Sequence, residues 1–126
     1  MEELEIYQAI GAEGFDRLAS AFYRHVSEDD ILRPMYPAHD LAGAKQRLRD
    51  FLIFRFGGPE HYIEQRGHPR LRMRHAPFSI GQAARDRWFE LMSRALEEAS
   101  LPDEPREILR SFFESTATFL INRPDV

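Results

Sequence analysis

The chain has 126 residues and a net charge of −4, with 21 acidic against 17 basic side chains, a length that predicts one domain over residues 1–126. It contains no cysteine, which excludes a disulfide framework, an iron–sulfur cluster, a thiolate zinc site and a cysteine nucleophile. The acidic balance argues against a protein that coats nucleic acid, and no nucleic-acid partner is expected.

The first ten residues, MEELEIYQAI, are acidic and carry no basic stretch ahead of an apolar run, so no signal peptide is expected. No segment approaches the roughly 18 continuous apolar residues of a membrane span. The expectation is a soluble cytoplasmic protein.

Alternating patterns are rare, which disfavours strands, and the apolar residues recur at helical steps instead. A first helix is predicted from about Glu13 to Val26, with Phe15, Leu18, Phe22 and Val26 on one face. Ser27-Glu28-Asp29-Asp30 opens a short helical piece that Pro34 and Pro37 end. Asp40 caps a helix from Leu41 to about Phe56, with Leu41, Ala44, Leu48, Phe51 and Leu52 inside, and Gly57-Gly58-Pro59 stops it. Residues 60–79 read as a loop with one or two helical turns before Pro77. A long helix follows from about Ile80 to Ala99, with Ala84, Trp88, Leu91 and Ala95 inward. Pro102-Asp103-Glu104-Pro105 opens the last helix, whose predicted buried stripe is Ile108, Leu109, Phe112, Thr116, Phe119 and Leu120. The fold class is all-α.

Of five histidines (His25, His39, His61, His68 and His75), no pair has the H-E-x-x-H zinc spacing. There is no acidic Ca²⁺ loop, nucleophile elbow or phosphate-binding glycine loop. His75 stands apart because Leu71, four residues earlier, shares its helical face, while Arg72 and Arg74 flank it. An imidazole on an apolar wall beside guanidinium groups suits haem, whose propionates pair with Arg. A helix C-cap or a satisfied core histidine fits the same spacing, and spacing alone favours that plainer role. The cluster of Arg66, Arg70, Arg72 and Arg74 likewise reads as a solvated face or as a phosphate patch. Tyr23, Tyr36 and Trp88 interrupt apolar surroundings. Their O–H and N–H groups need partners when buried, which a core-filling role also provides.

One segment carries more. Gly67-His68-Pro69-Arg70-Leu71-Arg72-Met73-Arg74-His75-Ala76-Pro77-Phe78 resembles the proximal segment of a group II truncated haemoglobin. Phe22-Tyr23, Tyr36-Pro37, Asp40-Leu41-Ala42-Gly43-Ala44, Arg47-Leu48, Gly57-Gly58-Pro59 and Trp88 extend the resemblance over nearly the whole chain in order. It implies a shortened globin, a two-over-two helical sandwich around haem b (iron protoporphyrin IX). It implies His75 as the iron ligand and Tyr23, Tyr36 and Trp88 on the distal side. Leu48 then lies over the haem face, and Ala44 stands where many globins carry a distal histidine. Arg47, Tyr62 and Arg74 become propionate partners, and Phe51, Leu52, Leu71, Phe78 and Met92 become apolar walls. His25 faces outward. Phe56 stands where some relatives have Trp or Tyr.

The implied activity is reversible binding of O₂, and of NO or CO, with slow O₂ release through Tyr23 and Trp88 donors that Tyr36 orients or joins. A haem redox enzyme, an NO dioxygenase or peroxidase, is the alternative; it needs an external reductase that the sequence does not identify. Relatives often form homodimers, although no exposed apolar stripe argues for one here. A haem-free helical module using the Arg cluster is a third reading, and a colourless protein that takes up no haem would favour it.

Overall fold

The computed structural model describes residues 1–60, 67, 70–75 and 78–124, the side chain of Arg72 excepted. Among these, every regular element is helical: α1 (Ile6–Ser27), α2 (Leu41–Arg55), α3 (Leu71–His75), α4 (Gln82–Glu98) and α5 (Asp103–Phe119). Single 3₁₀ turns occupy Glu3–Glu5 and Arg33–Met35.

α1 buries Phe15, Leu18, Phe22 and Val26 completely, as its spacing predicts. It begins earlier than predicted, at Ile6, because Gly11 breaks the run at φ 67° and joins a first turn to the main helix. A left-handed residue there is tolerated because glycine has no Cβ. The Asp40 carboxylate accepts the Gly43 N–H at 3.0 Å and caps α2, a contact worth about 1 kcal/mol.

α2 stops at Gly57, whose φ is 98° and whose missing Cβ would strike the Leu4 carbonyl oxygen. The chain start is thereby stapled to the α2 end, where the Tyr7 N–H also donates to the Phe56 carbonyl at 3.0 Å. Gly57→Ala combines a left-handed alanine with a backbone collision and should cost at least about 2 kcal/mol. Chemical denaturation of the two proteins checks this, and a loss below about 0.5 kcal/mol, typical of a neutral surface change, would contradict it.

α5 differs from the expected stripe. Pro105, Leu109, Phe113 and Ala117 are its buried residues, and Phe119 is 55% exposed. The helix carries two apolar faces, one in the core and one along Phe112, Thr116 and Leu120 that lines a cavity. α1 packs against both α2 and α4, and α4 packs against α5. The result is the expected two-over-two sandwich. Phe56 is fully buried, stacked on Phe15 at 6.2 Å and edge-on to Phe112 at 5.0 Å, so the apolar ring suits a site where a polar tip would need its own partner.

Candidate functional site

A cavity of about 430 Å³ opens among these helices, within the usual range of about 300–1,000 Å³ for cofactor sites. Ala44, Leu48, Phe51 and Leu52 from α2 form one apolar wall. Leu71, His75 and Phe78 line another part, and Arg47 and Arg74 line it too. Tyr23 from α1, Tyr36 from the connecting segment and Trp88 from α4 complete the predicted set. Met92 departs from expectation: it is fully buried in the core and does not line the cavity. Tyr62 lies outside the described residues. His25 is turned to Glu98, its Nε2 2.8 Å from Oε1, as expected of a residue facing away from the site.

His75 ends α3 with Nδ1 2.7 Å from the Leu71 carbonyl oxygen. A carbonyl only accepts, so Nδ1 carries a proton, and in the neutral ring the lone pair is on Nε2, the tautomer that a metal ligand requires. Asn122 fixes the chain just beyond. Its Nδ2 donates to the carbonyls of His75 (3.2 Å) and Phe78 (2.7 Å), while its Oδ1 accepts the Ile80 N–H at 2.9 Å. Sequence reasoning missed Asn122, for which the available signal was a turn-forming residue just ahead of Arg123-Pro124.

The three polar aromatics form one hydrogen-bonded group. The Trp88 indole N–H donates to the Tyr36 hydroxyl at 3.1 Å. Tyr23 hydrogen-bonds the same hydroxyl, with the two phenol rings edge-on at 5.3 Å. Burial, reinforced by Tyr36, pushes the Tyr23 phenol far up, and nearby Arg47 only partly offsets this. Burial also pushes Tyr36 up to about 12, against hydrogen bonds from Trp88 and Tyr23 that lower it. The Tyr36 oxygen receives the Trp88 N–H, which leaves its own O–H to donate, either to Tyr23 or into the cavity. This differs from the expected arrangement at Trp88, whose proton is committed to Tyr36.

Arg47 pairs with Asp40 at 3.4 Å. Arg85, also unforeseen, lines the cavity but is committed to Thr118 at 3.0 Å and to the Glu114 carbonyl at 3.3 Å. An apolar slot lined, among the described residues, by one imidazole whose Nδ1 is held by a carbonyl, and by arginines, fits haem.

Comparison with known proteins agrees with that fit. The family model for bacterial-like globins matches residues 5–122. The chain belongs to this globin family. Among relatives of the globin, the group 2 truncated hemoglobin of Bacillus subtilis is 37% identical over 119 residues, covering 94% of this chain and 89% of its own. The solved thermostable hemoglobin of Thermobifida fusca superposes with a TM-score of 0.91 at 46% identity, covering 95% of this chain and 98% of its own. The solved truncated oxygen-avid haemoglobin of Bacillus subtilis gives 0.88 at 38% identity, covering 93% and 98%. The globin is thus of the group II truncated kind, and membership implies a haem cofactor and haem-based binding of O₂ and other diatomic ligands. Among the described residues, no helix is long and apolar enough to cross a membrane.

Proposed function

We propose that this globin is a single cytoplasmic domain that carries haem b on Nε2 of His75 and holds O₂ with slow release, in storage or sensing. Haem iron held by one imidazole supplies a free position at which a diatomic ligand binds and O₂ gains negative charge. The observation that carries the reading is the Tyr36 hydroxyl at the cavity, whose oxygen takes the Trp88 N–H at 3.1 Å and whose own proton can then be donated to the ligand. The Leu71 carbonyl keeps Nδ1 of His75 protonated, so Nε2 stays available. Arg47 and Arg74 pair with the propionates, and the apolar walls exclude water. The oxygen-avid relative supports the direction of this reading.

The test is the O₂ dissociation rate of the haem-loaded protein beside that of Trp88→Phe. Losing the indole N–H removes the donor that holds the Tyr36 oxygen. With a hydrogen bond worth roughly 0.5–1.5 kcal/mol, release should quicken about two- to tenfold. An unchanged rate would remove Trp88 from the ligand-holding group. NO consumption measured on the same sample, with an external reductase supplied, separates storage from turnover. Sustained nitrate production would contradict storage.

A further inference from the structure

Two polar cross-links tie the segment after α1 to α4, and only one of them touches the cavity. The inner one is the Trp88–Tyr36 hydrogen bond. The outer one is Asp29–Arg87, from the residue directly before Trp88 to a residue seven positions before Tyr36. Asp29 is the one charged residue classed as buried among those described, its side chain 2% exposed.

Its two oxygens divide the work. Oδ1 accepts Nε and Nη2 of Arg87, both at 2.5 Å. Oδ2 accepts the backbone N–H groups of Ile31 at 3.1 Å and Leu32 at 2.9 Å. Leu32 leads directly into the 3₁₀ turn at Arg33–Met35, through the Met35 N–H donated to the Leu32 carbonyl at 2.9 Å. Tyr36 ends that turn. Leu32, Met35 and Tyr36 all line the cavity. On the other side, Glu90 takes Arg87 Nη1 at 2.5 Å, which holds the guanidinium along α4. Burial alone would raise the Asp29 pKa, but the Arg87 hydrogen bond and the Leu32 and Ile31 N–H groups outweigh it and leave it below the usual carboxylate range. The residue is a charged anchor, made without any long helix between Ser27 and Leu41 to place Tyr36 by packing.

We propose that the Asp29–Arg87 ion pair is a positioning device that sets the Trp88–Tyr36 hydrogen bond and, through it, the retention of the diatomic ligand. Its second half rests on the reading of Tyr36 as ligand donor given above. Neither residue lines the cavity, so the pair acts through the turn and through α4. Asp29→Asn keeps the shape and one acceptor oxygen but turns an amide N–H₂ group toward the guanidinium, so one side of the anchor must let go.

The experiment compares the native haem-loaded protein with Asp29→Asn, Tyr36→Phe and the double variant, all under CO or O₂. The chain has a single tryptophan, so nitrogen–proton correlation NMR of the CO form shows one indole N–H signal, that of Trp88. In Asp29→Asn that signal should shift and its proton should exchange faster with solvent. O₂ release should quicken at least about threefold in the native background and much less in Tyr36→Phe, because neighbours in one network do not add. An indole signal and exchange rate equal to the native ones would overturn the inference. Equal acceleration of O₂ release in both backgrounds would also overturn it, as a general loosening would act alike in both. If Tyr36→Phe alone leaves O₂ release unchanged, the ligand-donor reading fails, and the indole signal still decides whether the ion pair sets the bond. Should Asp29→Asn not retain haem, Arg87→Lys keeps the positive charge with fewer N–H contacts to Oδ1 and takes its place, with an intermediate shift expected.

Discussion

His75→Ala is expected to strip this globin of its hold on haem. Even the loss of a group that merely supports a metal ligand costs about 10–100-fold in metal affinity, so the loss of the ligand itself should exceed about 100-fold. α3 is only five residues long, Leu71–His75, and the Nδ1 contact of His75 to the Leu71 carbonyl spans nearly all of it. Much of the helical core, including Phe15, Phe22 and Phe113, lies on α1 and α5, so the helical circular dichroism signal should largely persist while haem leaves. Free imidazole added in excess should restore part of the haem absorption, because the alanine leaves room for it beside Leu71 and Phe78. Haem transfer to a competing apoglobin measures the effect, and a transfer rate equal to the native one would show that iron is held elsewhere.

Tyr36→Phe should have the next largest effect. The Trp88 N–H ends on the Tyr36 oxygen at the cavity, so the Tyr36 proton is the one proposed to meet the ligand. A hydrogen bond to a group bearing charge contributes about 1.5–3 kcal/mol, so losing it should speed O₂ release by roughly ten- to a hundredfold. CO carries little negative charge when bound, and its release should change far less, which separates a lost hydrogen bond from a simply widened cavity. Tyr23→Phe and Trp88→Phe should each act more weakly, since they remove polar groups that hold Tyr36 in place and not the contact itself. Stopped-flow mixing of the O₂ form with excess CO gives these rates. A larger effect for Tyr23→Phe than for Tyr36→Phe would reverse the order of donors inferred here.

The parts of the fold that the sequence revealed are those governed by local chemistry. α2 was legible because the Asp40 cap and the Gly57-Gly58-Pro59 stop both act within a turn of its ends. The start of α1 was not, because only Ile6, Tyr7 and Ile10 precede the break at Gly11, too few to show a period. α5 misled because it has two apolar faces. Its spacing merged the core face of Leu109 with the cavity face of Phe112 and Thr116, promoted exposed Phe119 and passed over Phe113.

The site divides in the same way. Leu71 and His75 lie one helical turn apart, so their shared face is visible in sequence. The resemblance to the proximal segment rests on that same short stretch. Asn122, Arg85 and the Asp29–Arg87 pair join residues 29 to 58 positions apart and were invisible. Which proton points into the cavity was equally hidden. The types Tyr23, Tyr36 and Trp88 announce donors, but only their placement shows that the Trp88 N–H is spent on Tyr36.

The central claim is that one imidazole nitrogen of this chain binds iron while the Tyr36 hydroxyl faces the ligand. The crystal structure of the haem-loaded globin with O₂ or a stable diatomic ligand tests both halves at once. Iron should be bonded to Nε2 of His75, with Nδ1 still on the Leu71 carbonyl and the Tyr36 oxygen within hydrogen-bond distance of the ligand. Iron bonded to any other side chain, or a ligand whose nearest donor is not Tyr36, would contradict it.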